Sequence, residues 1–282
     1  MRAIPLYVLG GLLALPVQAS EVQDLLGRLA VAERQQSFQG TFIYERDGSF
    51  STHAVWHRVD EGGEVRERLL QLDGPAQEVL KVNGQAQCIT GALAEQISDG
   101  QSWPARHLDA EQLGNWYDMR IVGQSRIANR PTIVLALTPR DQHRYGFELH
   151  LDRDTGLPLK SLLLNEHGQL LERFQFTQLD ISTPVADAMQ PSSNCKPVRL
   201  KPADSMADGR WRSDWLPPGF VLNTAQLRRG SAADAPVAYL MYSDGLARFS
   251  VFIEPLQGVG VEDARSQLGP TVAVSRRMST ES

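Results

Sequence analysis

The stretch "HLDRDTGLPLK", residues 150–160, admits two readings that lead to different folds. Preceded by the apolar run "YGFEL", its Asp152, Asp154 and Thr155 have the spacing of a phosphatase whose first aspartate attacks phosphorus while the second moves a proton. Such a nucleophile sits at the end of a buried parallel strand, apolar on both faces and followed by a crossover helix. The residues here argue otherwise. "RYGFELHL" alternates, with Phe147, Leu149 and Leu151 on one side and Glu148 and His150 on the other. A second strand, "LPLKSLLL", starts directly after Gly156. That leaves no room for the crossover of about a dozen residues that parallel pairing needs. Asp152, Asp154 and Gly156 read instead as a surface turn, in which short carboxylates bond nearby backbone and glycine supplies a positive φ. The stretch is a hairpin.

The same period of two runs in both directions from it. Upstream, "GTFIYE" and "THAVWHRV" flank the turn "RDGS", and "VRERLLQL", "EVLKV" and "QAQCI" follow, the last two joined by "NG", a strong type I′ signal. "YDMRIVG", "SRIA" and "PTIVLALT" lead into the opening stretch, and "QLLERFQFTQL" leaves it after "EHG". Roughly ten strands with short loops make an antiparallel meander, wet on one face and packed on the other. With few helices to cover it, such a sheet curls on itself. One amphipathic helix precedes it: "SEVQDLLGRLAVAERQ" puts Val22, Leu25, Leu26, Leu29 and Ala32 on one face, with Ser20 and Gln23 spaced as a capping box. A short second helix is expected near Asp109.

Before that helix, residues 1–19 read as a cleaved export signal: Arg2, an apolar core, and "VQA" before Ser20. Export to an oxidising compartment then bears on the two cysteines, Cys88 and Cys195. Either they form a disulfide tying a linker to the sheet, or Cys88 is a buried thiol and Cys195 an idle one. Periodicity vanishes over residues 182–209, a Pro-, Ser- and Asp-rich linker. Order returns in residues 210–282, with a hairpin about Ser243–Gly245, a helix expected from Val261 and a strand "TVAV". The domain plan is therefore a signal at 1–19, a large sheet domain at 20–181, the linker, and a small β-rich domain.

Composition excludes several functions. The net charge is −5 and no Lys/Arg stripe interleaves with aromatics, so nucleic acid is not a partner. His53 and His57 lie about 13 Å apart along one strand, too far to share a metal; no metal, cofactor or catalytic residue is nominated. There is no nucleophile elbow, phosphate loop or dinucleotide fingerprint. What remains is aromatic. Phe42, Tyr44, Trp56, Phe147, Phe174 and Phe176, with Leu149 beside them, line either an ordinary core or an apolar cavity sized for lipid.

The blocks "LLQLDGPAQEV", "YDMRIVGQSRIANRP", "RDQHRYGFELHLDRDTGLPLKSLLLNEHGQLLERF", "WLPPGF" and "YSDGLARFSVFI" resemble the RseB/MucB family of sigma-E factor regulatory proteins, with the MucB branch the nearer. The resemblance implies a mainly β, α+β periplasmic protein. Its large domain would be an unclosed antiparallel β-barrel over helices, like the lipoprotein carriers LolA and LolB, followed by a smaller β-rich domain. Family members continue past "TVAV", so that domain is expected to be incomplete. The function implied is non-enzymatic. Such proteins bind the periplasmic part of a transmembrane anti-sigma factor, protect it from the site-1 protease, and let go on sensing lipopolysaccharide or another acylated lipid. In the MucB branch the output includes alginate synthesis. A periplasmic lipid or lipoprotein carrier is the alternative, and a homo-oligomer is left open.

Overall fold

The computed structural model describes residues 15–90, 108–198, 211–228, 235–256 and 262–278. Most of the expected export signal lies outside these. Helix α1 spans Leu15–Gln35. Ser20 therefore sits inside it rather than capping it, because the helix continues back through the preceding residues. Its apolar face is the expected one: Val22, Leu25, Leu26, Leu29 and Ala32 are all buried. Helix α2, Ala110–Gly114, is capped by Asp109, whose side chain accepts from the Glu111 and Gln112 amides.

Ten strands alternate in sequence and pair antiparallel. They are β1 Phe38–Arg46, β2 Ser49–Val59, β3 Val65–Gln71, β4 Glu78–Val82, β5 Gln85–Thr90, β6 Tyr117–Ile127, β7 Arg130–Pro139, β8 Gly146–Asp152, β9 Pro158–Leu164 and β10 Leu170–Asp180. An eleventh, β11, is only Lys196–Pro197. The sheet order is β11-β5-β4-β3-β2-β1-β10-β9-β8-β7-β6. Two five-strand meanders, β1–β5 and β6–β10, are thus joined by the pairing of β1 with β10. β6 and β11 remain at opposite edges, so the sheet does not close. "YDMRIVG" and "SRIA" are one strand, β6, kinked by a bulge between Ile121 and Gly123.

The turns do what their residues demand. Asp47–Gly48 and Asn83–Gly84 take positive φ at both positions, as a type I′ hairpin requires. At Gly40 glycine is needed for a different reason: a Cβ there would meet the Gln178 carbonyl at 2.4 Å, where β1 bulges against β10.

α1 lies across the inner face of the sheet. With Leu108 and Leu113 it covers Tyr117, Leu135, Leu137, Leu149 and Leu151. Farther along, Ala32 meets Phe42, Val55, Ile127, Leu157, Leu159 and Phe176. Each such side chain stabilises by about 1.5–3 kcal/mol when fully buried, and these clusters fix the curl of the sheet.

The hairpin of the opening stretch is as read, but one of its residues is not at the surface. Asp152 is fully buried. Its carboxylate accepts from the Asp154 and Thr155 amides and the Thr155 hydroxyl. It also takes a two-point grip from Arg130. Burial opposes its ionisation, but Arg130 and Thr155 outweigh that and lower its pKa.

Residues 182–198, read as part of a linker, lie against the outer face of β2–β5. They form a 3-10 turn, Ala186–Met189, and then β11. Met189 is buried. Arg58 and Arg68 donate to the Pro184 and Ala188 carbonyls. Both Glu78 carboxylate oxygens accept from the Ser192 amide, at 3.2 and 3.1 Å. Cys88 and Cys195 form a disulfide with Cα atoms 5.4 Å apart. This segment is better described as a stapled arm.

In the C-terminal part, β12 Val221–Arg228, β13 Val237–Ser243 and β14 Arg248–Ile253 form one sheet over a core of Phe220, Leu240 and Tyr242. The helix expected from Val261 is instead strand β15, Ala264–Leu268, paired with β16, Thr271–Ser275. Gly269, with φ +56, makes the turn between them, and pairing overrides the helical propensity of Ala264, Arg265 and Gln267. No helix among the described residues is long and apolar enough to cross a membrane.

Candidate ligand-binding face

Strand parity decides which side chains share the inner face. Phe42 pairs with Phe176 on β10 and with His53 on β2, and Tyr44 pairs with Phe174. These rings make one continuous cluster. Phe42 lies 4.7 Å from Phe174 and 5.9 Å from Phe176, centroid to centroid, and Phe174 meets Phe176 edge-on at 5.2 Å. Phe38 adds an edge contact to Phe176 at 6.0 Å. Burial, then the Glu172 carboxylate, raises the Tyr44 pKa far above the ordinary phenol range and keeps its hydroxyl protonated.

The cluster has a polar border. His57 stacks on Phe38 and His53 on Phe42, at 4.9 and 5.0 Å. Both histidines are buried. Each keeps one ring nitrogen without a hydrogen-bond partner, Nδ1 of His53 and Nε2 of His57. Burial lowers the His53 pKa, against a weaker pull upward from Asp73. Next along the sheet, Glu67 Oε2 sits 3.6 Å from His57 Nδ1, and its Oε1 3.5 Å from Lys81 Nζ. Burial works against the Glu67 carboxylate. The nearby His57 ring and attraction to Lys81 prevail and lower its pKa to about 2. The signal for this border was present in "THAVWH", whose histidines share Phe42's parity; Glu67 and Lys81 follow only once β2, β3 and β4 are in register.

The structure therefore gathers four of the seven expected residues, Phe42, Tyr44, Phe174 and Phe176. Phe147 and Leu149 belong to the other cluster, under α1. Trp56 points the opposite way. It pairs with Gln39 and Arg68, and the Arg68 guanidinium covers its ring at 4.8 Å, beneath the stapled arm. Among the described residues, grooves open to solvent lie beside α1 and on the outer face. One, about 540 Å³, is lined by Asp24, Arg28, Val31, Gln35 and Thr155 beside α1. The other, about 400 Å³, lies on the outer face over Gly40, between Trp56 and Asp180. No group of three or more metal-ligating side chains occurs among the described residues.

Against known proteins, residues 21–202 match the MucB/RseB N-terminal domain and residues 205–282 the MucB/RseB C-terminal domain. The Pseudomonas aeruginosa sigma factor AlgU regulatory protein MucB is 63% identical over 98% of this chain and 88% of its own length. The Escherichia coli sigma-E factor regulatory protein RseB is 29% identical over 80% of this chain and 74% of its own. Among solved structures, the P. aeruginosa MucA/MucB complex superposes with a TM-score of 0.80 at 63% identity, covering 93% of this chain and 89% of the other. MucB with MucA(peri) gives 0.78 at 61%, covering 92% and 89%. MucB crystallised alone gives 0.69 at 57%, covering 90% of each chain. With both family domains matched in order along almost its whole length, the chain belongs to the MucB/RseB family.

Proposed function

We propose that this protein is a periplasmic negative regulator of an envelope-stress sigma factor. It grips the periplasmic part of a membrane-spanning anti-sigma factor, shields it from the site-1 protease, and releases it when lipopolysaccharide or another acylated lipid binds. The observation that carries the reading is the likeness to MucB, which runs through both domains and includes a relative solved with MucA. A signal peptide at residues 1–19, a linker running on to residue 209 and a separate C-terminal domain from residue 210 are parts of the same proposal.

The aromatic cluster of Phe42, Tyr44, Phe174 and Phe176 is the proposed place for an acyl chain. Its rings occupy the inner face themselves, so a chain enters by parting them. Half-buried Phe174 is the proposed hinge for that rearrangement. His53 and His57, each with one unpartnered buried nitrogen, border the entry. The functional test is cleavage of the anti-sigma factor's periplasmic segment by the site-1 protease, with and without this protein. Slower cleavage in its presence is expected; an unchanged rate at saturating protein contradicts the assignment.

A further inference from the structure

Arg144 belongs to the loop between β7 and β8 of the N-terminal domain, and Asp244 to the turn between β13 and β14 of the C-terminal one. Arg144 Nη1 donates to Asp244 Oδ2 at 2.7 Å, and neither side chain is exposed at all. The same guanidinium donates to Asp141 from Nε at 3.1 Å and to the Pro218 carbonyl from Nη2 at 2.5 Å. Phe220, Trp116 and Tyr117 surround it at 5.0, 5.5 and 5.7 Å. The Tyr117 hydroxyl adds a long bond to Asp244, at 3.4 Å. A charged knot, closed in by rings from both domains, thus sits at their seam.

A buried ion pair is a poor adhesive, because desolvating both charges offsets most of their attraction. What it does well is penalise half-open states, in which the charges are dry but separated. Such a seam is either shut or open and hydrated. Two features keep the shut form poised. The Trp116 indole N–H is buried with no acceptor, a cost that only the shut form carries. Gly219, with φ +85, presses its backbone so closely on that indole that a Cβ would lie 2.3 Å from Nε1. Other described contacts between the two parts are the bond from Arg46 Nη2 to Thr271 Oγ1 at 2.5 Å, the edge-on pair of His143 and Trp215 at 5.5 Å, and Leu246 packed against the cluster under α1.

We propose that Arg144–Asp244 is an interdomain latch, and that the protein has a second arrangement in which the latch is open and both charges are hydrated. Resting on the function proposed above, lipid binding weakens the partner's grip by selecting the open arrangement.

The latch can be tested without any partner. Spin labels at exposed Val122 and Phe252, one in each domain, report the interdomain distance in the full chain. Asp244→Asn keeps an amide oxygen for the Leu246 and Ala247 amides while removing the charge that holds Arg144. Gly219→Ala wedges the seam from a position outside both cores. Each variant is expected to raise the population of a second distance on the order of tenfold, with the circular dichroism of both sheets unchanged. Distance distributions identical to the parent in both variants would overturn the latch. Titrating the anti-sigma segment into the same variants separates the two ideas. Weaker binding by the unlatched variants extends the latch to regulation. Unaltered binding despite a changed distance removes the regulatory role and leaves the function itself standing.

Discussion

Arg130 holds Asp152 at two points, Nε to Oδ2 at 2.6 Å and Nη2 to Oδ1 at 3.0 Å, at the start of the turn between β8 and β9. The carboxylate also organises the turn through three further bonds, from two amides and a hydroxyl. Asp152→Asn therefore removes the charge that a mostly buried arginine is paired with. Breaking a fully buried pair costs about 3–5 kcal/mol. Because Arg130 keeps 21% of its side chain in water, about 2–3 kcal/mol is the expected loss here. Asp154, 65% exposed, should cost under about 0.5 kcal/mol as Asn. Urea unfolding of the two variants checks this, and equal small losses would show that the grip on Asp152 contributes little.

The arm gives a second expectation. The disulfide closes a loop of 107 residues, which in the chain-entropy model stabilises by about 4–5 kcal/mol. Thiol counting on the denatured, unreduced protein should find no free cysteine. Limited proteolysis should spare residues 182–198 in the oxidised protein and cut there after reduction, since an arm without its staple keeps only the short β11 pairing, buried Met189 and the bonds to Arg58, Arg68 and Glu78. Equal cutting before and after reduction would mean that the staple does not hold the arm.

Stability should fall with acid in two stages. His53 and His150 have pKa values lowered by burial from the ordinary 6.5, so the unfolded chain takes up protons first as the pH drops below that value. Stabilisation from their neutral forms is present above pH 6.5 and declines below it. Glu67 and Glu78 are lowered from 4.5, and Asp152 from 3.8. Their contribution is complete above the ordinary carboxylate range and is lost as the pH falls through it, towards the folded value of about 2 for Glu67. Denaturant unfolding between pH 3 and 8 should show a shallow decline beginning near 6.5 and a steeper one below about 4.5. A stability maximum at pH 5 would contradict the sign for the histidines.

Local chemistry made much of the fold legible. The period of two, the Asp47–Gly48 and Asn83–Gly84 turns, the apolar face of α1 and the Asp109 cap all act within a few residues of themselves. Pairing between distant strands has no such signature. That β1 meets β10 depends on both meanders being complete, and so does the gathering of Phe42 with Phe174 and Phe176. Trp56 was expected inside because it is aromatic; its parity relative to Phe42 puts it outside, under Arg68. The helix expected from Val261 gave way to pairing across Gly269. Arg144 and Asp244 carry no local signal of burial, since charged side chains are seldom buried except in pairs and the partner lies a hundred residues away.

A prediction on the ligand face follows from the ring cluster. Phe174→Ser opens one side of it while leaving the more deeply buried Phe42 and Phe176 in place. It should reduce the effect of lipid on partner binding more than it reduces binding itself. Equal reduction of both, in a variant that unfolds like the parent, would point to an ordinary core.

The central claim is that an acylated lipid and the anti-sigma partner oppose each other on this protein. A micromolar contact is worth about 8 kcal/mol, and each methylene that leaves water contributes about 0.8 kcal/mol, so several acyl chains suffice to offset it. The deciding measurement is a titration of the partner's periplasmic segment into the full chain, with and without lipopolysaccharide. The account predicts binding in its absence, a clear loss of affinity in its presence, and little effect from an amphiphile with a single short chain. Affinity unchanged at saturating lipopolysaccharide would contradict it.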